Sequence, residues 1–203
     1  MKTMKLLFTL LLVAGFATVG FGQIAGTSHD MSGELWNAEG EICIVCHTPH
    51  NALASNAPLW NRAATSATFT VYSGTTLNAT VGQPTGQSLL CLSCHDGTVG
   101  LESYGSATAT LLNPIGTPGL LGVDLSNDHP ISFAYDDALA TADGELHAPS
   151  TDLSGLGSTI DADMLFGGQM QCASCHDVHD DTHGNFLIMS NSASALCLTC
   201  HDK

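Results

Sequence analysis

The chain has 203 residues, of which 4 are Lys or Arg and 19 are Asp or Glu, for a formal charge of −15. A protein this acidic has no basic footprint for a polyanion, which excludes nucleic acid as a partner. Its acidity serves solubility first, and can also steer in a basic redox partner.

At the N-terminus, Lys2 and Lys5 precede an apolar run from Leu6 to Phe16, and the small residues Gly20 and Gly22 follow. That order of charged, apolar and small residues predicts a cleaved secretory signal over 1–22, with the cut near Gly22-Gln23. The apolar run is shorter than the ~20 residues a spanning helix needs. No cysteine near the cut offers a lipid attachment point, so no membrane anchor is expected. Removing the signal takes away Lys2 and Lys5. Residues 23–203 then form a single expected domain, with Arg62 and Lys203 against all 19 acids and a formal charge of −17.

Beyond the signal, Gly, Ser, Thr, Asn and Ala dominate, and charged residues make up only 11% of the whole chain. No long stretch carries the 3.6-residue apolar period of an amphipathic helix. Residues 68–72 alternate and predict a short strand. Residues 73–88 and 105–127 are rich in Gly, Thr, Asn and Pro and predict loops.

Against this plain background one pentapeptide recurs four times: Cys43-Ile44-Val45-Cys46-His47, Cys91-Leu92-Ser93-Cys94-His95, Cys172-Ala173-Ser174-Cys175-His176 and Cys197-Leu198-Thr199-Cys200-His201. Each reads C-x-x-C-H, the attachment signature of a c-type haem. On a helical turn, positions three and four apart share a face, so two thiols and an imidazole converge on one ligand. The thiols form thioethers to the haem vinyl groups, and His47, His95, His176 and His201 are the expected proximal iron ligands. A single C-x-x-C pair also fits half a zinc site, a redox dithiol or a disulfide. Zinc bound by four cysteines at a time would not account for the four histidines that follow the pairs. Calcium is the other metal weighed. The acidic groups around Asp136-Asp137, Asp161/Asp163 and Asp177/Asp180/Asp181 lack the spacing of a D-x-D-x-D-G loop, and a solvated face explains them better. No metal besides haem iron is expected.

The motifs are unevenly spaced. Between one motif and the next lie 43, then 76, then 20 residues, so the third and fourth haems must be close neighbours. A chain this poor in large apolar side chains cannot readily offset its ordering entropy by burying them. Four covalently tied haems would supply the missing apolar core. The expected fold is mostly irregular and loop-rich, with short α-helices at the haem motifs and few short strands, wrapped around a chain of four c-type haems.

Six histidines lie outside the motifs. His50 and His179 each follow a proximal histidine by three residues, too close to swing round to the far side of the same haem, but able to reach a neighbouring one. His129 precedes Pro130, which disfavours helix there and stiffens the loop. His29 lies near the expected mature N-terminus. These four are the first distal candidates. His147 and His183 fit surface histidines better and stand in reserve. Met31, Met164, Met170 and Met189 could also ligate iron, but with spare histidines at hand they read as core or surface residues.

The phrases Cys46-His47-Thr48-Pro49-His50-Asn51, Cys94-His95-Asp96-Gly97-Thr98, Asp128-His129-Pro130-Ile131 and Cys175-His176-Asp177-Val178-His179 resemble small multihaem cytochromes of anaerobic, metal-respiring microbes. Within that group the four-haem, exported, loop-rich layout resembles the OmcE-type extracellular cytochromes, which polymerise into filaments. The resemblance implies His29, His50, His129 and His179 as distal ligands. It also implies that one iron takes a histidine from the next subunit. His29 is the first candidate, because a mature N-terminal arm can extend beyond its own subunit, with His147 or His183 next. The expected partners are other copies of the chain, partner cytochromes and extracellular acceptors such as metal oxides. The leading reading is electron transfer within an extracellular filament. The alternatives are a soluble periplasmic shuttle and a multihaem nitrite or hydroxylamine oxidoreductase. The enzyme would need an iron with an open position, whereas six spare histidines can close four irons.

Overall fold

The computed structural model describes residues 23–53, 57–105 and 114–202. The signal expected over 1–22, part of the 105–127 loop, and Lys203 lie outside these residues. Regular structure is sparse. Helix α1 spans Gly86–His95, β1 Phe133–Ala134, α2 Asp137–Asp143, α3 Ile160–Met164, β2 Gln169–Met170 and α4 Ala195–Cys200, with 3₁₀ turns at Cys172–Ser174 and Ser192–Ser194. Turns and bends connect them, as the Gly- and Ser-rich composition requires. No helix among the described residues is long and apolar enough to cross a membrane.

Each short helix owes its start to a polar side chain. Asp136 accepts from the Leu139 amide and caps α2, and the Thr159 hydroxyl accepts from the Ala162 amide and caps α3. At α1, Thr85 offers no side-chain cap. The side chain of Gln171 takes that role from far along the chain, its Oε1 accepting from the Ser88 amide at 3.1 Å. In return the Ser88 hydroxyl accepts from the Cys172 amide at 3.0 Å. The second motif is thereby joined to the third before any cofactor is considered. Ser88 is fully buried, and its small side chain lets the two backbones approach.

The two strands pair antiparallel, Phe133 opposite Met170 and Ala134 opposite Gln169. They underlie the larger apolar cluster of Phe133, Tyr135, Ile160, Met164, Met170, Leu196 and Cys200, against which Cys175 also packs. Met164 and Met170 are thus core residues. A smaller cluster joins Phe69, Leu92 and Leu125.

Two expectations need correction. Residues 68–72 alternate in exposure around buried Phe69, but they form no ladder. A single bridge links Thr70 to Asp124. Both backbone groups of Phe69 are taken by the Gln83 amide, whose Oε1 accepts at 2.8 Å and whose Nε2 donates at 2.9 Å, so a further strand has no edge to add to. The expected loop over 73–88 also ends early: 86–88 form the first turn of α1, because Gln171 satisfies the helix start from outside the segment.

Candidate haem centres

All four motifs curl in one helical turn. The amide of His47 donates to the Cys43 carbonyl at 2.8 Å, that of His176 to Cys172 at 3.1 Å and that of His201 to Cys197 at 3.0 Å, while the second motif is the last turn of α1. The turn is the one the spacing predicts, though the first motif lies in an isolated turn and the third in a 3₁₀ turn instead of an α-helix. None of the eight cysteines is paired in a disulfide. Burial pushes the Cys46, Cys175 and Cys200 thiols up to about 11 and raises Cys94 as well. The described His, Cys, Asp and Glu side chains form no group of three that could hold a metal ion.

The motifs meet in chain order. The first reaches the second through Asn61, whose amide donates to the Cys46 carbonyl at 2.9 Å and whose Nδ2 donates to Ile44 at 2.6 Å. The next residue, Arg62, bonds the Gly100 and Leu101 carbonyls just beyond the second motif. The second and third are joined through Gln171 and Ser88, and their first cysteines lie close enough to affect each other, Cys91 holding the Cys172 thiol below its ordinary value. The third and fourth share the apolar cluster containing Cys175 and Cys200, as their short separation in sequence requires.

The proximal imidazoles are oriented by backbone carbonyls. Nδ1 lies 2.8 Å from the Pro58 oxygen in His47, 2.7 Å from Gly119 in His95 and 2.9 Å from Asn185 in His176. Donation from Nδ1 leaves Nε2 as the metal ligand and fixes the ring plane.

Three proximal rings face a second imidazole. The ring centres are 6.1 Å apart for His95 and His29, 6.2 Å for His47 and His179, and 6.4 Å for His201 and His129. Two in-line metal–nitrogen bonds of about 2 Å each, plus about 1 Å from each nitrogen to its ring centre, give about 6 Å. The spacing therefore fits an iron between each pair. His129 and His179 also repeat the orienting pattern, with Nδ1 2.8 Å from the Pro130 oxygen and 3.1 Å from Asp177 Oδ1. His29 is held differently, by edge contact with Phe186 at 4.4 Å between ring centres. Burial, and then the neighbouring His95, lower its pKa, which favours the neutral ring a metal needs.

The other histidines are not brought together. His50 is exposed, and His183 is exposed near Asp180. His147 is half-buried with Nδ1 3.5 Å from Asp152 Oδ2. No imidazole among the described residues faces His176. Trp60, edge-on to His47 at 6.1 Å, and the linking residues Asn61, Arg62 and Gln171 escaped the sequence reading. Only Arg62 left a signal there, as the sole arginine of the chain.

Residues 166–203 match a family model described as a doubled CXXCH motif. No curated protein matches the chain. The paired motif indicates a c-type-cytochrome-like, multihaem protein. Its CXXCH motifs imply covalently bound haem c and point to electron transfer.

Proposed function

We propose that the chain carries four haems c, one at each motif, and conducts electrons as an exported subunit of an extracellular filament of its own copies. The observation that carries the four-haem reading is the set of four CXXCH turns, three of which bring their histidine 6.1–6.4 Å from a second imidazole. Haem c supplies a one-electron ferric/ferrous couple. The chain's own residues hold it by thioether sulfur, orient its ligands through Nδ1 and bring neighbouring attachment turns into contact. A histidine pair on each iron favours low spin and a low potential.

The filament reading rests on what the pairing leaves over. Among the described residues His176 has no facing imidazole, and His50 is exposed without a partner ring. A head-to-tail contact that gave His50 of one copy to His176 of the next would be heterologous and would not close, which generates a helical polymer. His29 is a poor candidate for that crossing, because it already faces His95 inside the chain. The subunits' mutual repulsion must be overcome at the contact, and an iron–nitrogen bond is strong enough to help.

The test is electron microscopy and absorption spectroscopy of the exported protein, native and with His50→Ala. Native filaments, with the variant reduced to particles that bind carbon monoxide at one iron, would support the reading. Native protein that stays particulate in all salt conditions with every iron six-coordinate would favour the periplasmic shuttle. Turnover of nitrite or hydroxylamine at an open His176 iron would favour an enzyme.

A further inference from the structure

Arg62 is the only Lys or Arg among the described residues, and it is 1% exposed. A buried guanidinium is costly unless its charge and donors are used. Two of its nitrogens donate to the carbonyls of Leu101 and Gly100, at 2.7 and 3.1 Å, while Nε is buried with no partner. Trp60, two residues earlier on the same extended segment, also buries an unpartnered Nε1. Residues two apart in extended chain share a face, so two unused donors point to one side of the segment between the first and second motifs.

Resting on the four-haem reading above, we propose that Arg62 raises the reduction potentials of the two haems held at Cys43–His47 and Cys91–His95, and so makes that half of the protein the place where electrons settle. Adding one electron converts ferric to ferrous iron and removes one positive charge from the haem. A fixed positive charge nearby therefore favours the reduced form, and one excluded from solvent acts with little screening by salt. The charge lies between the two motifs: Asn61, next to Arg62, donates to the Cys46 and Ile44 carbonyls, while the guanidinium itself bonds the Gly100 and Leu101 carbonyls just beyond His95. The acids on the same side are Asp96, held by Thr98 through its amide and hydroxyl, Glu102, whose carboxylate is buried without a hydrogen-bond partner, and Glu39, which accepts from the hydroxyl of Tyr104, the residue bridged to Arg62. They reduce the effect of Arg62 without neutralising it in contact.

The experiment is a redox titration with one-electron mediators, read by the NMR signals of haem methyl groups assigned to each motif, after mass spectrometry has counted the haems. In native protein the haems of the first two motifs are expected to be reduced first. Arg62→Gln should lower their reduced-to-oxidised ratio about tenfold at fixed potential, about 59 mV for a one-electron couple, and leave the other two nearly unmoved. Arg62→Lys, which keeps the charge, should restore most of the difference. Four haems whose potentials do not move, or all move together, would overturn the role of Arg62 while leaving the four-haem reading intact. If Arg62→Gln fails to fold, the native order decides, and reduction beginning at the third and fourth motifs overturns the proposal. Fewer than four haem additions would remove the reading on which it rests.

Discussion

The imidazoles of His47 and His179 lie 6.2 Å apart and 22° from parallel, although one follows the first cysteine pair and the other the third. His179 sits three residues beyond His176, so the chain leaves one attachment turn and delivers its next histidine to a different one. This weaves the motifs together more tightly than their order alone requires. It also places His29 beside Phe186, in the segment that follows His179.

Substituting the facing histidines one at a time should open different irons. His29→Ala, His129→Ala and His179→Ala are each expected to make one iron in four bind carbon monoxide and become high-spin, at the second, fourth and first motif respectively. Absorption and magnetic resonance spectroscopy with motif-assigned signals would check this. An open iron at another motif would refute the pairing.

Ser88→Ala removes the acceptor of the Cys172 amide in a fully buried position. An unsatisfied buried donor costs about 1–3 kcal/mol. Urea unfolding of the haem-loaded variant should show a loss in that range, with the second and third motifs loosening first by hydrogen exchange. A loss within error of zero would mean that water or a shifted backbone takes the hydroxyl's place.

Tyr135 buries its ring and donates its hydroxyl to the His147 carbonyl at 2.7 Å and to Cys200 at 3.3 Å. Burial first, then Cys200, raise the phenol pKa far above its ordinary value near 10. Its contribution is therefore fully present below pH 10 and is lost as pH rises toward the folded-state value, because the unfolded chain releases its proton first. Tyr135→Phe should cost about 1 kcal/mol at pH 7 and unfold less steeply with alkali than native protein. Parallel stability curves from pH 8 to 11 would contradict this account.

Gly97, two residues past the end of α1, sits at φ +70°, where an added Cβ would stand 2.6 Å from the Leu120 side chain. Leu121, next to it, donates to the His95 carbonyl at 2.8 Å, and the Gly119 carbonyl orients the His95 ring. Gly97→Ala should cost about 1–2 kcal/mol in backbone strain and perturb the second haem's spectrum more than the others. A thermal melt with motif-assigned spectra would measure both.

The sequence by itself determined the chemistry. Two cysteines and a histidine at fixed spacing are a local device: one turn converges them whatever surrounds it, so all four CXXCH turns were legible, as was the poverty of regular structure in a chain so rich in Gly, Ser and Thr. Of the four distal candidates the sequence offers, His29, His129 and His179 lie opposite a motif imidazole and His50 does not. Only the tertiary structure decided which imidazole faces which, that His50 faces none, and that Gln171, Ser88 and Arg62 bind motifs distant in sequence. Those relations depend on long loops with no periodic pattern, whose paths are set by single hydrogen bonds and by burial across the whole fold. The same physics explains why the 68–72 segment misled: its alternation was real, but strand pairing needs a partner edge, and Gln83 had already taken it.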